Sequence, residues 1–216
     1  MTQRSIQILL ADDHELVRKG IRTLLESQSG WEVCGEASNG REAVKLAAHL
    51  NPQIAVLDLE MPELNGLEAT RQIKKSSPDA EVLIYSMHES EQLIREAIAA
   101  GARAYVLKSD AGQQLVHAVE ALSRHKPFFT SKASETLLET FLKSWPEEAA
   151  ASVLTDRERE IVQLLAEGKA NKEVASALGI SVKTVETHRS AIMRKLGVNS
   201  IVDLVHYAIR NNLVKP

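Results

Sequence analysis

The chain has 216 residues, of which 44% are hydrophobic and 25% charged, proportions that are typical of folded globular domains. This composition excludes a disordered, collagen-like or coiled-coil chain, and the length suits two domains of ordinary size. The net charge of −3 and the low aromatic content of 4% argue against a nucleic-acid partner, and most strongly against single-stranded nucleic acid.

Cysteine usage and hydropathy predict a cytoplasmic protein without a membrane partner. The single cysteine, Cys34, cannot form an internal disulfide. The sequence contains neither a secretory leader nor a run of about 20 apolar residues that could span a membrane. Its seven histidines include no pair with the spacing of a zinc site, so zinc is not expected.

The first part of the chain alternates short apolar runs with amphipathic stretches. Five such pairs predict five strand–helix units, and therefore a doubly wound α/β domain with a parallel sheet. The predicted strands are 6–11, 31–37, 54–57, 81–85 and 104–107, and the predicted helices lie near 16–25, 41–50, 67–74, 91–100 and 115–122.

A linker and an all-helical domain follow. The segment 127–152 predicts a linker with one short helix, because Leu137, Leu138, Phe141 and Leu142 have helical spacing. The strand pattern is then lost, and helices are predicted near 156–167, 172–178, 182–196 and 201–211. We predict a first domain over 1–124, a linker over 125–152 and a second domain over 153–216.

The two parts carry net charges of opposite sign. Residues 1–126 contain 14 Lys+Arg against 18 Asp+Glu, a net −4, whereas residues 153–216 contain 10 against 7, a net +3. The whole-chain charge is therefore an average over two different surfaces, and it no longer excludes nucleic acid for the second domain.

Polar side chains follow the apolar runs of the first domain. Asp12 and Asp13 follow the first run, Asp58 the third, Ser86 ends the fourth and Lys108 follows the fifth. The carboxyl ends of parallel strands share one edge of the sheet, where ligands bind in such folds. We call this predicted set the acidic pocket. A lone Asp at such a position usually caps a helix, but five polar groups together favour chemistry.

Three neighbouring carboxylates repel one another unless a hard cation neutralises them, so the acidic pocket predicts a Mg²⁺ site. Asp13, Asp58 and the backbone carbonyl of Glu60 suit direct ligation, and Asp12 suits contact through water. After the third strand, Pro62 and Gly66 are typical of a tight loop, in which glycine permits a positive φ.

Over Ser5 to about Ser123 the sequence resembles the receiver domains of two-component response regulators, through LLADDHELVRKGI, VLDLEMPELNGLEA, IYSMHE and GARAYVLKSD. The resemblance implies a flavodoxin-like (βα)5 fold and a phosphoacceptor at Asp58 that takes its phosphoryl group from a sensor histidine kinase. It implies that Lys108 stabilises the transferred group, and that Ser86 and Tyr105 are switch residues, with Tyr105 moving inward.

In the second domain, the segment 171–196 has the spacing of a helix, a glycine turn and a second helix, as in a helix-turn-helix. The residues of the second helix predicted to face inward are Val182, Val185, Ile192, Met193 and Leu196. From Lys183 to Lys195 this helix has four positive residues against one negative. A basic helix face alone is usually only solvated, so DNA binding needs further support.

That support is a resemblance over about Leu154 to Asn211 to the LuxR-type four-helix domain, through LTDREREIVQLLAEG, NKEVASALGIS and VKTVETHRSAIMRKLGV. The full architecture resembles a NarL/FixJ-type response regulator. The resemblance puts Glu186, Thr187 and Ser190 at base edges, although Glu186 and Ser190 depart from the basic residues often found there. It assigns DNA-backbone contacts to Lys183, Thr184, Arg189, Arg194, Lys195, Asn171 and Lys172. For Asn171 helix capping is an equal alternative, and Glu186 has the alternative of an ion pair with Arg189.

We therefore predict a transcription factor that is controlled by phosphorylation, requires Mg²⁺ and binds double-stranded promoter DNA as a homodimer; contact with RNA polymerase stays open. Two other classes are weighed. A haloacid-dehalogenase-type phosphatase also uses a nucleophilic Asp, but that residue follows the first strand, and this chain has no room for a cap. A receiver-like module that is never phosphorylated is disfavoured by the intact acidic pocket.

Overall fold

The computed structural model describes residues 5–110, 112–130 and 154–214. The chain divides into two compact units, Met1–Pro146 and Glu147–Pro216. The short helix predicted around Leu137 to Leu142 lies outside the described residues. In the part of the chain that the structure describes, no helix is both long enough and apolar enough to cross a membrane.

The first unit is an α/β domain with a six-stranded parallel sheet in the order β2-β1-β3-β4-β5-β6. The strands are β1 (Ile6–Ala11), β2 (Trp31–Ala37), β3 (Ile54–Leu57), β4 (Glu81–Ser86), β5 (Ala104–Leu107) and β6 (Phe128–Phe129). The helices are α1 (Glu15–Glu26), α2 (Gly40–Leu50), α3 (Gly66–Ser76), α4 (Glu91–Ala100) and α5 (Gly112–Ser123). The predicted doubly wound fold is confirmed.

The sixth strand was not predicted, because Phe128 and Phe129 fall in the segment assigned to the linker. Phe128 donates its backbone N–H to the carbonyl of Arg103, and the two phenylalanines pair with Ala104 and Tyr105 of β5. A strand of two residues is too short to show an alternating pattern, so only its partner strand identifies it.

The sheet is buried on both faces, as expected for parallel strands. Leu9, Ala55 and Ile84 face an apolar layer formed with α2, α3 and α4, whereas Leu10 and Val56 face a second layer formed with α1 and α5. This two-sided burial explains why β3 and β5 are short runs of buried residues, and in both strands a polar side chain, Asp58 or Lys108, comes directly after the last strand residue.

The second unit contains four described helices, α6 (Asp156–Ala166), α7 (Asn171–Leu178), α8 (Val182–Leu196) and α9 (Ile201–Arg210). The predicted first and last residues of these four helices agree with the structure to within one residue. Thr155 and Glu158 form a capping box at the start of α6, and Ser181 and Ser200 cap α8 and α9. We call α8 the recognition helix.

Two details of the second unit differ from prediction. Asn171 is the first residue of α7 and not its cap, because the cap position is Ala170, whose N–H donates to the carboxylate of Glu173. Val182 was expected to face inward but is 40% exposed. It lies in the first turn of the recognition helix, whereas Val185 and Ile192 further along are buried as predicted.

Candidate functional sites

The carboxyl edge of the sheet brings the predicted acidic pocket together. Lys108 Nζ lies 2.6 Å from Asp12 Oδ2 and 2.9 Å from Asp58 Oδ2, although it is 96 residues from Asp12 in sequence. The side chains of Asp12, Asp58 and Lys108 are exposed by 1%, 6% and 10%. One buried ammonium therefore bridges two buried carboxylates that end neighbouring strands.

The open side of the acidic pocket is formed by Asp13 and the residue after it, His14. Oxygen or nitrogen atoms of Asp12, Asp13, His14 and Asp58 all lie within 4.8 Å of one another. His14 Nδ1 is 2.7 Å from Asp13 Oδ1 and 3.3 Å from Asp12 Oδ1. Carboxylate oxygens from two strand ends are a donor set that suits a hard divalent cation such as Mg²⁺.

Burial and charge act in opposite directions on the ionisation of the pocket. Burial raises the pKa of Asp58 above its ordinary value, and the nearby Lys108 reduces that rise without cancelling it. For Lys108, burial disfavours the ammonium, but hydrogen bonds and attraction to Asp12 and Asp58 outweigh it and raise the pKa. Lys108 is thus held as a cation between the carboxylates of Asp12 and Asp58.

The backbone around Asp58 is held on both sides. Asp58 donates its N–H to the carbonyl of Ala11, and Gly66 donates its N–H to the carbonyl of Leu59. A Cβ on Gly66 would lie 2.2 Å from the Asp58 carbonyl oxygen, so the first turn of α3 approaches the backbone of Asp58 closely. A positive φ was predicted at Gly66, but in this loop it occurs at Glu63, at 66°. Glycine is required at position 66 because the Asp58 carbonyl leaves no room for a Cβ.

Ser86 and Tyr105, the predicted switch residues, meet at the backbone of His88. Ser86 Oγ accepts the His88 N–H at 3.1 Å, and the Tyr105 hydroxyl donates to the His88 carbonyl at 2.7 Å. Tyr105 is buried, and burial raises its pKa to about 12, with the Ser86 hydroxyl acting in the opposite direction. The ring that was expected to move inward lies inward in this structure.

His88 is a residue that sequence reasoning missed. Its Nε2 also lies 2.8 Å from Glu60 Oε1, so the loop after β4 is tied to the loop after Asp58. No local pattern marks such a residue. Its distance from Ser86, two positions along the loop, was the only available signal.

On the recognition helix, the predicted DNA contacts lie largely on the solvent side. Seven of them, Lys183, Thr184, Glu186, Thr187, Ser190, Arg194 and Lys195, are exposed, and Arg189 is half-buried. Among the predicted contacts on α7, Lys172 is exposed and Asn171 half-buried. Within the described residues no ion pair joins Glu186 to Arg189, which leaves the Glu186 carboxylate without the predicted intrahelical partner.

Some of these polar groups already have partners. The Thr187 and Ser190 hydroxyls donate to the carbonyls four residues earlier, of Lys183 and Glu186, at 2.9 and 3.0 Å. Such back-bonding leaves the hydroxyl oxygens able only to accept further hydrogen bonds. A base contact through either hydroxyl as a donor would first have to break this local bond.

Lys195 has a structural partner in α6. Its Nζ lies 2.8 and 2.7 Å from the two carboxylate oxygens of Glu158, whose side chain is 6% exposed. Burial favours the neutral acid of Glu158, but hydrogen bonds from Lys195 and Thr155 outweigh it and hold the pKa below its usual value. The predicted phosphate contact at Lys195 is therefore in competition with an ion pair that joins the recognition helix to α6.

Family comparisons agree with this two-part geometry. The model of the response regulator receiver domain matches residues 8–120, and the model of bacterial regulatory proteins of the luxR family matches residues 152–208. The transcriptional regulatory protein LiaR of Bacillus subtilis is 39% identical over 209 residues, which are 97% of this chain and 99% of LiaR.

Solved structures of RcsB are similar over nearly the whole chain. RcsB from Salmonella enterica serovar Typhimurium, bound to promoter P1flhDC in the presence of the phosphomimetic BeF3−, is 25% identical with a TM-score of 0.59. A structure of two RcsB dimers bound to two parallel DNAs is 28% identical, also with a TM-score of 0.59. Each match covers 94% of this chain and 98% of the RcsB chain.

Proposed function

The chain belongs to the response regulators that join a receiver domain to a LuxR-type DNA-binding domain, and we propose that phosphorylation of Asp58 controls its binding to promoter DNA. The observation that carries this proposal is the bridge of Lys108 between Asp12 and Asp58. It supplies a nucleophilic carboxylate and a fixed cation within one pocket. The family regulates transcription, so the acceptor reaction serves signalling.

In the proposed reaction, an oxygen of Asp58 attacks the phosphorus of a phosphohistidine on a sensor kinase, in line with the phosphorus–nitrogen bond that breaks. The electron pair of that bond leaves with the imidazole of the kinase. Lys108 Nζ, 2.9 Å from Asp58 Oδ2, is in reach of the oxygens on which negative charge is spread.

The donor set fits Mg²⁺, with Asp13, Asp58 and the Glu60 carbonyl as proposed ligands and Asp12 acting through water. When bound, the cation neutralises charge on the phosphoryl oxygens. Asp12 accepts hydrogen bonds from the backbone N–H of His14 and from the ammonium of Lys108. It therefore fixes the loop after β1 and the position of the Lys108 side chain after β5.

The switch is proposed to act through His88. A phosphoryl group on Asp58 adds about −1.5 to −2 charges and three acceptor oxygens, which compete for the Ser86 hydroxyl. If that hydroxyl turns towards the phosphoryl group, the His88 N–H loses its acceptor while the Tyr105 bond to the His88 carbonyl can persist. The loop between β4 and α4 then adopts a second arrangement.

For the output, we propose that the recognition helix enters the major groove of duplex promoter DNA in a homodimer, in the cytoplasm, where bacterial promoters are found. Support for a dimer on promoter DNA comes from the RcsB structures, one with two dimers bound to two parallel DNAs and one bound to a promoter, and the groove is proposed from the helix-turn-helix spacing. Lys183, Thr184, Arg189 and Arg194 are the proposed backbone contacts, with Asn171 and Lys172 at the start of α7. Glu186 is a candidate acceptor for a cytosine amino group. We propose a second domain over 153–216 and a first domain that extends past the predicted limit at residue 124 to include β6 (Phe128–Phe129).

The acceptor is tested by intact-protein mass spectrometry after incubation with acetyl phosphate and Mg²⁺. The wild type should gain the mass of one phosphoryl group, and Asp58→Asn should not, since an amide is not a nucleophile of this kind. Gel shifts with genomic fragments should then show tighter binding by the phosphorylated wild type. Equal masses for the two proteins would overturn the proposal, and sustained phosphate release from a small phosphate ester would favour an enzyme.

A further inference from the structure

The residue that follows the two pocket aspartates, His14, is the one side chain in the cluster around Asp58 that could offer a nitrogen ligand to a metal, among the residues that the structure describes. It occupies the cap position of α1 with an extended backbone, φ −95° and ψ 109°, yet its side chain makes no capping hydrogen bond. Its ring is turned instead towards the carboxylates, with Nδ1 at 2.7 Å from Asp13 Oδ1.

We propose that His14 contributes Nδ1 as a ligand to the divalent cation of the acidic pocket, so that the pocket prefers Mn²⁺ to Mg²⁺. This inference rests on the proposed function, because it needs a cation beside Asp58. It goes beyond that function in naming a nitrogen ligand and the metal preference that a nitrogen ligand creates.

The geometry supports a shared cation. Ligands of one small cation lie close to one another, and a ring nitrogen of His14 is within 4.8 Å of carboxylate oxygens of Asp12, Asp13 and Asp58. For Nδ1 the distances are 2.7 Å to Asp13 Oδ1 and 3.3 Å to Asp12 Oδ1. Asp12 Oδ1 is occupied by the His14 backbone N–H at 2.8 Å, and this bond holds the imidazole near the pocket. The ring is 58% exposed, so it can adjust to a cation without disturbing the core.

The chemistry of the donors sets the preference. Mg²⁺ favours oxygen ligands and loses its waters reluctantly, whereas affinity for mixed nitrogen and oxygen sites rises from Mn²⁺ along the first transition row. A neutral imidazole therefore adds more to the binding of Mn²⁺ than to the binding of Mg²⁺. An imidazole that only pairs with the carboxylates would instead compete with every cation alike.

The test is isothermal titration calorimetry of MnCl2 and of MgCl2 into the full-length wild type, His14→Ala and His117→Ala. His117 is the matched control, since it is an exposed histidine on α5 beside Gln113. We expect His14→Ala to weaken Mn²⁺ binding about tenfold or more and Mg²⁺ binding by less than about twofold. His117→Ala should bind both cations as the wild type does.

Other outcomes overturn the inference, and they separate it from the proposed function. Unchanged Mn²⁺ affinity in His14→Ala, an equal loss for both cations, or tighter binding of both would exclude His14 as a ligand while leaving the acceptor role of Asp58 intact. A wild type that binds neither cation would overturn both the nitrogen ligand and the proposed pocket.

Discussion

In the acidic pocket, Asp12, Asp58 and Lys108 expose a tenth or less of their side chains and contact one another directly, whereas Lys183 and Arg194 on the recognition helix are exposed. The same kinds of charge therefore act in two physical regimes. In the pocket, little water screens the charges, so each group depends on its neighbours. On the recognition helix, water and salt weaken each electrostatic interaction. Affinity for DNA is then the sum of many weak contacts between exposed cations and phosphates.

This difference teaches where a single substitution matters. A buried charge that loses its partner is strongly destabilising, whereas an exposed cation that is removed changes stability little. Substitutions in the acidic pocket should therefore cost more stability than substitutions on the recognition helix.

The largest effect is expected for Lys108→Met, which removes the ammonium between Asp12 and Asp58. We expect a loss of about 3 kcal/mol in the stability of the first unit, because two buried carboxylates would face each other without the positive charge between them. Phosphorylation by acetyl phosphate should fall by about 100-fold. Hydrogen exchange of the sheet amides in EDTA measures the first effect, and mass spectrometry the second.

A matched control is Lys19→Met. Lys19 pairs with Glu15 at 2.6 Å, but both side chains are about two-thirds exposed, at 66% and 68%, so this pair should matter little. Saturating Mg²⁺ should restore part of the stability of Lys108→Met, since the cation replaces the lost positive charge. Equal stability of the two variants would contradict the account of the pocket.

The next effect tests the backbone of the pocket. In Gly66→Ala the new Cβ would overlap the Asp58 carbonyl oxygen at 2.2 Å, so α3 or the end of β3 must shift. We expect a loss of about 2 to 3 kcal/mol in the hydrogen-exchange stability of the sheet. Gly20→Ala, on the exposed side of α1 with no atom within 4 Å of the new Cβ, should gain up to about 1 kcal/mol. A tolerated Gly66→Ala would show that the close approach is not required.

Much of the acidic pocket could be predicted because the parallel topology places the residues that follow the strands at one edge of the sheet. Parallel strands buried on both faces are continuous apolar runs, so the residue after each run is easy to locate, and the shared edge brings Asp12, Asp58 and Lys108 together without knowledge of any contact. The functional roles of these residues remain proposals. Their convergence follows from strand order alone.

The contacts that could not be predicted are those without a local signal. Glu158 and Lys195 are 37 residues apart and lie on different helices, so only the packing of α6 against the recognition helix brings them together. His88 contacts Ser86, Tyr105 and Glu60, which come from three separate parts of the domain, so no local pattern marks it. The same limit applies to Phe128 and Phe129, whose strand exists through its pairing with β5.

A smaller effect is expected for Lys195→Ala, after which Glu158 would still accept hydrogen bonds from the backbone N–H and the hydroxyl of Thr155. Because Lys195 is 40% exposed, we expect a loss of only about 1 kcal/mol in the stability of the second unit. The lowered pKa of Glu158 means that its contribution is present above its ordinary value of 4.5 and is lost as pH falls through the lowered pKa. The stability difference between wild type and Lys195→Ala should therefore shrink in acid.

Hydrogen exchange of α6 and α8 amides across this pH range measures that difference. If Lys195→Ala leaves stability unchanged at neutral pH but weakens DNA binding, the residue serves DNA phosphates, as the sequence predicts. If stability falls and the salt dependence of DNA binding does not change, Lys195 stabilises the packing of the recognition helix against α6.

The smallest effect on the fold, within about 0.5 kcal/mol, is expected for Lys183→Ala, since Lys183 has no ion pair among the described residues. Its effect should instead appear in DNA affinity, where loss of one phosphate contact reduces the slope of log K against log salt by about one unit. Lys169→Ala is the control, because Lys169 pairs with Glu167 outside the recognition helix. An unchanged slope for Lys183→Ala would mean that the net +3 of this domain acts as a diffuse field and not through contacts of this helix.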